Sequence, residues 1–154
     1  TLFRSRNFAI LDEKNEYLVK ANSYWFLLNT ETGRPMRIME SDTAPYGEFS
    51  PKLEMEDAGR KIQVPKEMEE TGRMVVMKHL LDTNLHVNNA QYVDIARELL
   101  PAGTEISEIR AEYRKAAVLG DEIVIRSARE GKSYLVSLCN PDGDVFANIE
   151  LKEM

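Results

Sequence analysis

The chain has very little of the residues that most often build metal and redox sites. It holds a single cysteine, Cys139, and two histidines, His79 and His86, in 154 residues. One cysteine excludes an internal disulfide framework and fits a reducing compartment. No familiar zinc spacing of Cys and His is present, so no metal is expected, although His79, Asp82 and His86 would suit one by residue type. No cofactor is expected either. Basic residues are also short: 20 Lys and Arg stand against 26 Asp and Glu, a net charge of −6. That balance argues against nucleic acid as the partner, because phosphate binding wants a basic surface. No apolar run approaches the ~20 residues of a membrane helix, and the opening residues do not read as a secretory signal. The expectation is a cytoplasmic protein with no membrane span.

What is present is the composition of a globular protein, 43% hydrophobic and 30% charged. The length suits one ordinary domain or two small ones sharing a core. The first residue is Thr1 rather than methionine, which hints at a processed or truncated chain.

Segments from Arg6 to Ile10 and from Tyr17 to Leu28 are aromatic and β-branched, with Asp12 to Glu16 between them, and read as a hairpin. Trp25 belongs in a core or an interface on this reading. Asn29 to Pro35 is turn chemistry, with a short extension through Met36 to Ile38. Residues 40–72 carry Pro45, Pro51 and Pro65 among dense charges and read as a linker, with short helical turns around Lys52 to Ala58. Arg73 to Leu81 reads as a buried strand that includes His79, satisfied there or at an edge. Asn89 to Leu100 has helical spacing, ended by Pro101, with Asn88 or Asn89 as N-cap. A strand from Ile106 places Ile109, Ala111 and Tyr113 on one face and Arg110, Glu112 and Arg114 on the other. Glu122 to Arg129, Ser133 to Cys139 and Val145 to Leu151 complete a meander, joined at Gly131-Lys132 and Asn140-Pro141-Asp142-Gly143. The expected division is residues 1–39, a linker over 40–72, and a complete unit over 73–154.

The two ends resemble each other. Val19-Lys20-Ala21-Asn22 and Val145-Phe146-Ala147-Asn148 each follow a hairpin turn and open a long strand. If this is a duplication, the first copy's opening strand and helix would lie ~50 residues ahead of Thr1. The missing layer would then be supplied by a longer parent chain or by a second copy in a homo-oligomer.

Between the apolar run and the helix sits Asp82-Thr83-Asn84-Leu85-His86-Val87-Asn88-Asn89-Ala90-Gln91-Tyr92. So many polar side chains at a strand-to-helix joint are costly to bury unless each finds a partner, so a site is expected there. The strand, the polar turn ending His86-Val87-Asn88-Asn89, the long helix and the antiparallel meander together resemble a hotdog fold, an α+β architecture in which a sheet wraps a helix. Asp82-x-Asn84-x-His86-Val87-Asn88-Asn89-x-x-Tyr92 resembles the acyl-acyl-carrier-protein thioesterases of bacteria and plants, which carry two hotdog units in tandem. Ala21 to Trp25, Thr32 to Pro35 and Glu112 to Lys115 fit that family too. The His-Val-Asn-Asn piece alone is shared with acyl-CoA thioesterases of the same fold.

The resemblance implies hydrolysis of a fatty acyl thioester on acyl carrier protein, with Asp82, Asn84 and His86 as the functional residues. His86 suits a proton carrier near neutral pH, Asp82 a carboxylate that orients or charge-stabilises the imidazole, and Asn84 a holder of water or carbonyl. The N-terminus of the helix suits the oxyanion. Val87, Asn88, Asn89 and Tyr92 complete the motif and are the substrate-binding candidates, although Asn88 and Asn89 also suit a cap and Tyr92 a helix core. Arg110, Arg114 and Lys115 form a basic strip, either a solvated face or a dock for the acidic carrier and its phosphopantetheine phosphate. One departure stands out. The family places a further glutamate or cysteine shortly after the Glu-Tyr-Arg-Lys segment, where this chain has Ala116 and Ala117. Glu112 shares strand parity with position 116 but lies roughly 13 Å away along a strand. Cys139, in a later strand, reads as an ordinary core or edge residue. The rivals are an acyl-CoA thioesterase and a non-catalytic acyl-binding unit.

Overall fold

The computed structural model describes residues 4–47 and 51–154. Thr1, where the chain opens, and Glu48 to Ser50 of the expected linker lie outside the described residues. The chain divides into two compact units, one up to Ala58 and one from Gly59 onward.

In the first unit β1 (Arg4–Leu11) and β2 (Tyr17–Trp25) pair antiparallel as the hairpin the sequence predicts. Two short strands, β3 (Leu27–Leu28) and β4 (Pro35–Met36), flank a turn in which the Asn29 side chain accepts from the N–H groups of Glu31 and Thr32. The helical turn falls earlier than expected. It is α1 (Glu40–Thr43), continued by a 3₁₀ turn over Ala44–Tyr46, and residues 51–58 contain no helix. Local chemistry explains the shift: the Asp42 carboxylate accepts from the Met39 N–H at 2.8 Å, and Pro45 pre-sets the following turn. The later segment is laid along the hairpin instead. Leu53 N–H donates to Asn7 Oδ1, and the Tyr24 hydroxyl donates to the Asp57 carboxylate. Trp25 does not enter a core; it is about half exposed, its indole N–H donating to Ser23 Oγ.

The second unit runs β5 (Glu69–Val75), a 3₁₀ turn over Lys78–Leu80, α2 (Asn89–Arg97), β6 (Ile106–Tyr113), β7 (Glu122–Glu130), β8 (Ser133–Cys139) and β9 (Val145–Glu153). Its five strands form one antiparallel sheet in the order β5-β7-β8-β9-β6. Tyr92 and Ala96 of α2 pack into Ile123, Ile125, Val136, Leu138, Ala147, Ile149 and Leu151 of the sheet. Burying each large aliphatic side chain contributes roughly 1.5–3 kcal/mol. This is the helix-and-sheet architecture of the hotdog fold expected from the sequence, with its first strand beginning at Glu69 rather than Arg73.

Two boundaries differ from the sequence reading. β5 starts at Glu69 and ends at Val75, because beyond it the backbone pairs with a turn rather than a strand: Val76 N–H donates to Asp121 and Val76 accepts from Gly120. His79 therefore sits exposed on a 3₁₀ turn, not inside a buried strand. α2 stops at Arg97, and the N–H groups of Leu99 and Leu100 tighten onto the carbonyls of Ala96 and Arg97 ahead of Pro101. Among the described residues no helix is long and apolar enough to cross a membrane.

Candidate active site

The stretch from Asp82 to His86 closes on itself. Asp82 N–H donates to the His86 carbonyl at 2.7 Å, and Leu85 N–H donates to the Asp82 carbonyl at 3.1 Å. Asp82 Oδ1 accepts from the backbone N–H groups of Asn84 at 2.8 Å and His86 at 3.2 Å. A short acceptor side chain that takes the N–H two residues on is what stabilises such a turn. Partial desolvation pushes the Asp82 carboxyl up. The N–H groups of His86 and Asn84, the Asn84 amide and the nearby His86 imidazole outweigh it and hold the carboxyl below its usual range.

The turn is anchored on both sides. Leu81 bridges Val87 and His86 bridges Val118, while Val87 N–H donates to the Ala117 carbonyl and Asn88 N–H to that of Leu80. Val87 is buried, which fixes the strand piece, and His86 is exposed. Ala116 and Ala117, the positions where the family resemblance implies a further catalytic group, thus run directly alongside His86 and Val87. A methyl group is all that each of them offers there. Glu112 is occupied elsewhere, accepting from the Ile62 N–H at 3.2 Å.

The helix begins at once. Asn88 is its N-cap, with Oδ1 accepting from Ala90 N–H at 2.9 Å and its carbonyl accepting from Gln91 N–H at 2.9 Å. Among the described residues the Asn89 N–H has no protein acceptor, so it is the first-turn donor open to a ligand. Tyr92 lies beneath the turn, 2% exposed, and its hydroxyl accepts from Ala117 N–H at 3.0 Å. Burial raises the Tyr92 phenol above its ordinary pKa, more than the Ala117 N–H lowers it.

Two residues enter the site that sequence reasoning did not assign to it. Tyr113 donates its hydroxyl to the Asn89 carbonyl at 3.0 Å and sets its ring 5.9 Å from that of Tyr92. The Glu112-Tyr113-Arg114-Lys115 segment was the only signal for it. Leu85 has φ of 62°, the left-handed region, where a leucine costs roughly 1–2 kcal/mol. Its signal was its place, fourth in a turn headed by aspartate, where asparagine or glycine is the usual choice.

The three basic candidates do not stand alike. Arg110 pairs with Glu150 at 2.7 Å with both side chains largely buried, and also donates to the Lys61 carbonyl. It holds the chain at Lys61 against the sheet. Arg114 stands 3.8 Å from Glu112 and Lys115 3.1 Å from Asp144, and both side chains remain more than half exposed. Cys139 is buried in β8 with Sγ on the Val124 carbonyl, an ordinary core position. Among the described residues no three His, Cys, Asp or Glu side chains converge as a metal would require.

A helix on a five-stranded antiparallel sheet, entered through an acid-headed turn that presents an exposed histidine, is a unit of the hotdog type. Comparison with known proteins goes further. Residues 1–46 match the acyl-ACP thioesterase N-terminal domain model and residues 63–151 the acyl-ACP thioesterase C-terminal domain model. The chain belongs to the acyl-ACP thioesterase family. Its fold is similar to a 12:0-ACP thioesterase from Umbellularia californica, at TM-score 0.83 and 22% identity over 99% of this chain and 62% of that one. It is also similar to an acyl-ACP thioesterase from Bacteroides thetaiotaomicron, at TM-score 0.82 and 20% identity over 99% of this chain and 63% of that one. The chain therefore spans less than two thirds of the length of these structures. No curated protein matches its sequence.

Proposed function

We propose that the protein hydrolyses the thioester of fatty acyl groups on acyl carrier protein, releasing free fatty acid and the carrier thiol. The observation that carries this reading is the Asp82 to His86 turn, which sets an exposed histidine beside a capped helix whose Asn89 N–H is open. Water attacks the thioester carbonyl carbon and His86 accepts the proton that leaves it. The negative charge on the carbonyl oxygen is met by the Asn89 N–H and the positive end of α2. The carbonyl re-forms, the C–S bond breaks, and the imidazolium returns the proton to the departing sulfur. Asp82 holds the turn and lends its charge to the imidazolium, and Asn84 orients the water through its amide. With alanine at 116 and 117, water is the nucleophile and no second acid or thiol contributes. Val87, Asn88 and Tyr92 support the site from below, as strand anchor, cap and floor. Arg114 and Lys115 are the cations free enough to exchange their partners for the carrier's acidic surface, whereas Arg110 serves the fold.

The test is release of free fatty acid from one acyl chain presented on carrier protein and on CoA. The expected result is hydrolysis with preference for the carrier, and a fall of about 10²–10⁴ in kcat/KM for His86→Ala. Equal rates on the two carriers would make it an acyl-CoA thioesterase. Acyl binding without turnover, unchanged by His86→Ala, would make it a non-catalytic acyl-binding unit, the reading that Ala116 and Ala117 favour.

A further inference from the structure

Among the described residues the backbone closure of the turn that carries His86 recurs at Asp12 to Glu16 and at Asn140 to Asp144, with different residues at the left-handed position. Asp12 to Glu16 closes with the same bonds: Asp12 N–H to Glu16 carbonyl at 3.0 Å, Asn15 N–H to Asp12 carbonyl at 3.1 Å, and Asp12 Oδ1 accepting from Lys14 and Glu16, each at 2.8 Å. Asn140 to Asp144 shares the backbone closure, with Asn140 N–H to Asp144 carbonyl at 2.9 Å and Gly143 N–H to Asn140 carbonyl at 3.0 Å, while among the described residues Asn140 Oδ1 accepts only from Asp144 N–H, at 2.8 Å. The fourth residue is Asn15 in one, at φ 62°, and Gly143 in the other, at φ 93°, both residue types that tolerate that conformation. In the candidate active site it is Leu85, also at φ 62°.

Among the described residues no core packing repays that choice. Leu85 is 69% exposed and adds nothing to the core. It stands between Asn84 and His86, and His86 bridges Val118, which is 42% exposed and followed by Leu119 at 51%. Exposed apolar side chains thus flank the one exposed histidine of an otherwise polar turn. Strained residues persist where something other than folding requires them. A polar ligand would be served as well by the asparagine that the same turn uses at Asn15, so hydrocarbon is what a leucine adds.

We infer that Leu85 is a substrate-contact residue whose side chain covers the part of the acyl chain next to the thioester, opposite Val118. The inference rests on the proposed thioesterase activity and names a residue that sets the enzyme's use of its acyl chain. The experiment compares Leu85→Asn, Leu85→Gly and Leu85→Met. The Asn and Gly variants relieve the strained conformation and unfold at a higher temperature than the parent. They also hydrolyse palmitoyl carrier protein with kcat/KM lowered about tenfold, mainly through KM, the size expected of one apolar contact. The loss is larger on palmitoyl than on butyryl carrier protein. Leu85→Met, which keeps an apolar side chain together with the strain, loses less than either. Asn and Gly variants that turn over palmitoyl carrier protein as the parent does would overturn the inference and leave the thioesterase reading intact. Should the parent show no turnover, the functional reading fails, and calorimetry with a non-hydrolysable palmitoyl thioether of the carrier decides on Leu85. About tenfold weaker binding by Leu85→Gly supports it and equal binding overturns it.

Discussion

The loop between β1 and β2 and the joint between β5 and α2 are built from the same backbone device and stand in opposite surroundings. In both, an aspartate accepts two N–H groups and the fourth residue is left-handed. The first ends a hairpin whose apolar residues stay in the open: Phe8, Ile10, Leu18 and Val19 are 46–64% exposed. The second stands over a core in which Tyr92, Phe146, Ile149 and Leu151 are at most 2% exposed. The hairpin β8–β9 makes the contrast sharper, because Ala147-Asn148 repeats Ala21-Asn22 and yet lies under a helix, with Ala147 fully buried and Ala21 exposed. A turn of this kind is therefore not a site. The Asp82 turn differs in the buried floor that holds its ends and in the histidine and helix N-terminus attached to it.

The largest effect should follow from the difference in burial. Ile149→Ala removes a side chain with no exposure and should cost about 3–4 kcal/mol, with a corresponding fall in urea midpoint. Ile10→Ala, at 59% exposed, should stay within about 0.5 kcal/mol. Equal costs would mean that the hairpin is packed in solution as tightly as the sheet.

The next effect separates the two jobs of Asp82. Asn140 shows that an asparagine can head a turn with the same backbone closure, its Oδ1 accepting from the Asp144 N–H. Asp82→Asn should therefore keep the fold at neutral pH while removing the charge beside His86. The expected outcome is a fall in kcat of about ten- to a hundredfold with little change in KM. Asp12→Asn should leave both unchanged. If Asp82→Asn is as active as the parent, its carboxylate serves only the turn.

Much of this architecture was legible because it rests on local rules. Helical spacing after Asn88, alternation in β6 and the polar joint at Asp82 each follow from short-range chemistry. What escaped depends on the third dimension. The strand after Arg73 looked continuous through Leu81, but Val76 finds its partners at Gly120 and Asp121, which no pattern within the strand announces. The alternation in β6 sets Ile109 and Ala111 on one face, and the fold pairs them with Leu151 and Ile149, yet Ile109 is 50% exposed. Arg110 was read as part of a basic strip, solvated or docking, and only the fold shows it bound to Glu150 and the Lys61 carbonyl. Leu85 was passed over because a left-handed φ is invisible in a residue type that rarely adopts it.

The smallest effect concerns acid. Desolvation pushes the Asp82 carboxyl up, and the His86 and Asn84 N–H groups with the His86 charge overcome it, so the folded pKa lies below 3.8. A depressed carboxylate contributes stability that is fully present above the unfolded pKa and is lost as pH falls through the folded one. Glu70, held down by its bond to Arg73, and Asp144, held down by Lys115, lose theirs in the same direction, so a single profile would mix all three. Subtracting the profile of Asp82→Asn isolates one carboxyl. The stability of parent minus variant should be constant above about pH 5 and should move in the variant's favour below it, down through the folded pKa. Unfolding midpoints taken at intervals between those limits give the curve directly. Two profiles that stay parallel to the acid end would mean that the N–H groups of the turn do not favour the charged carboxylate, and that Asp82 is held there as its neutral replacement would be.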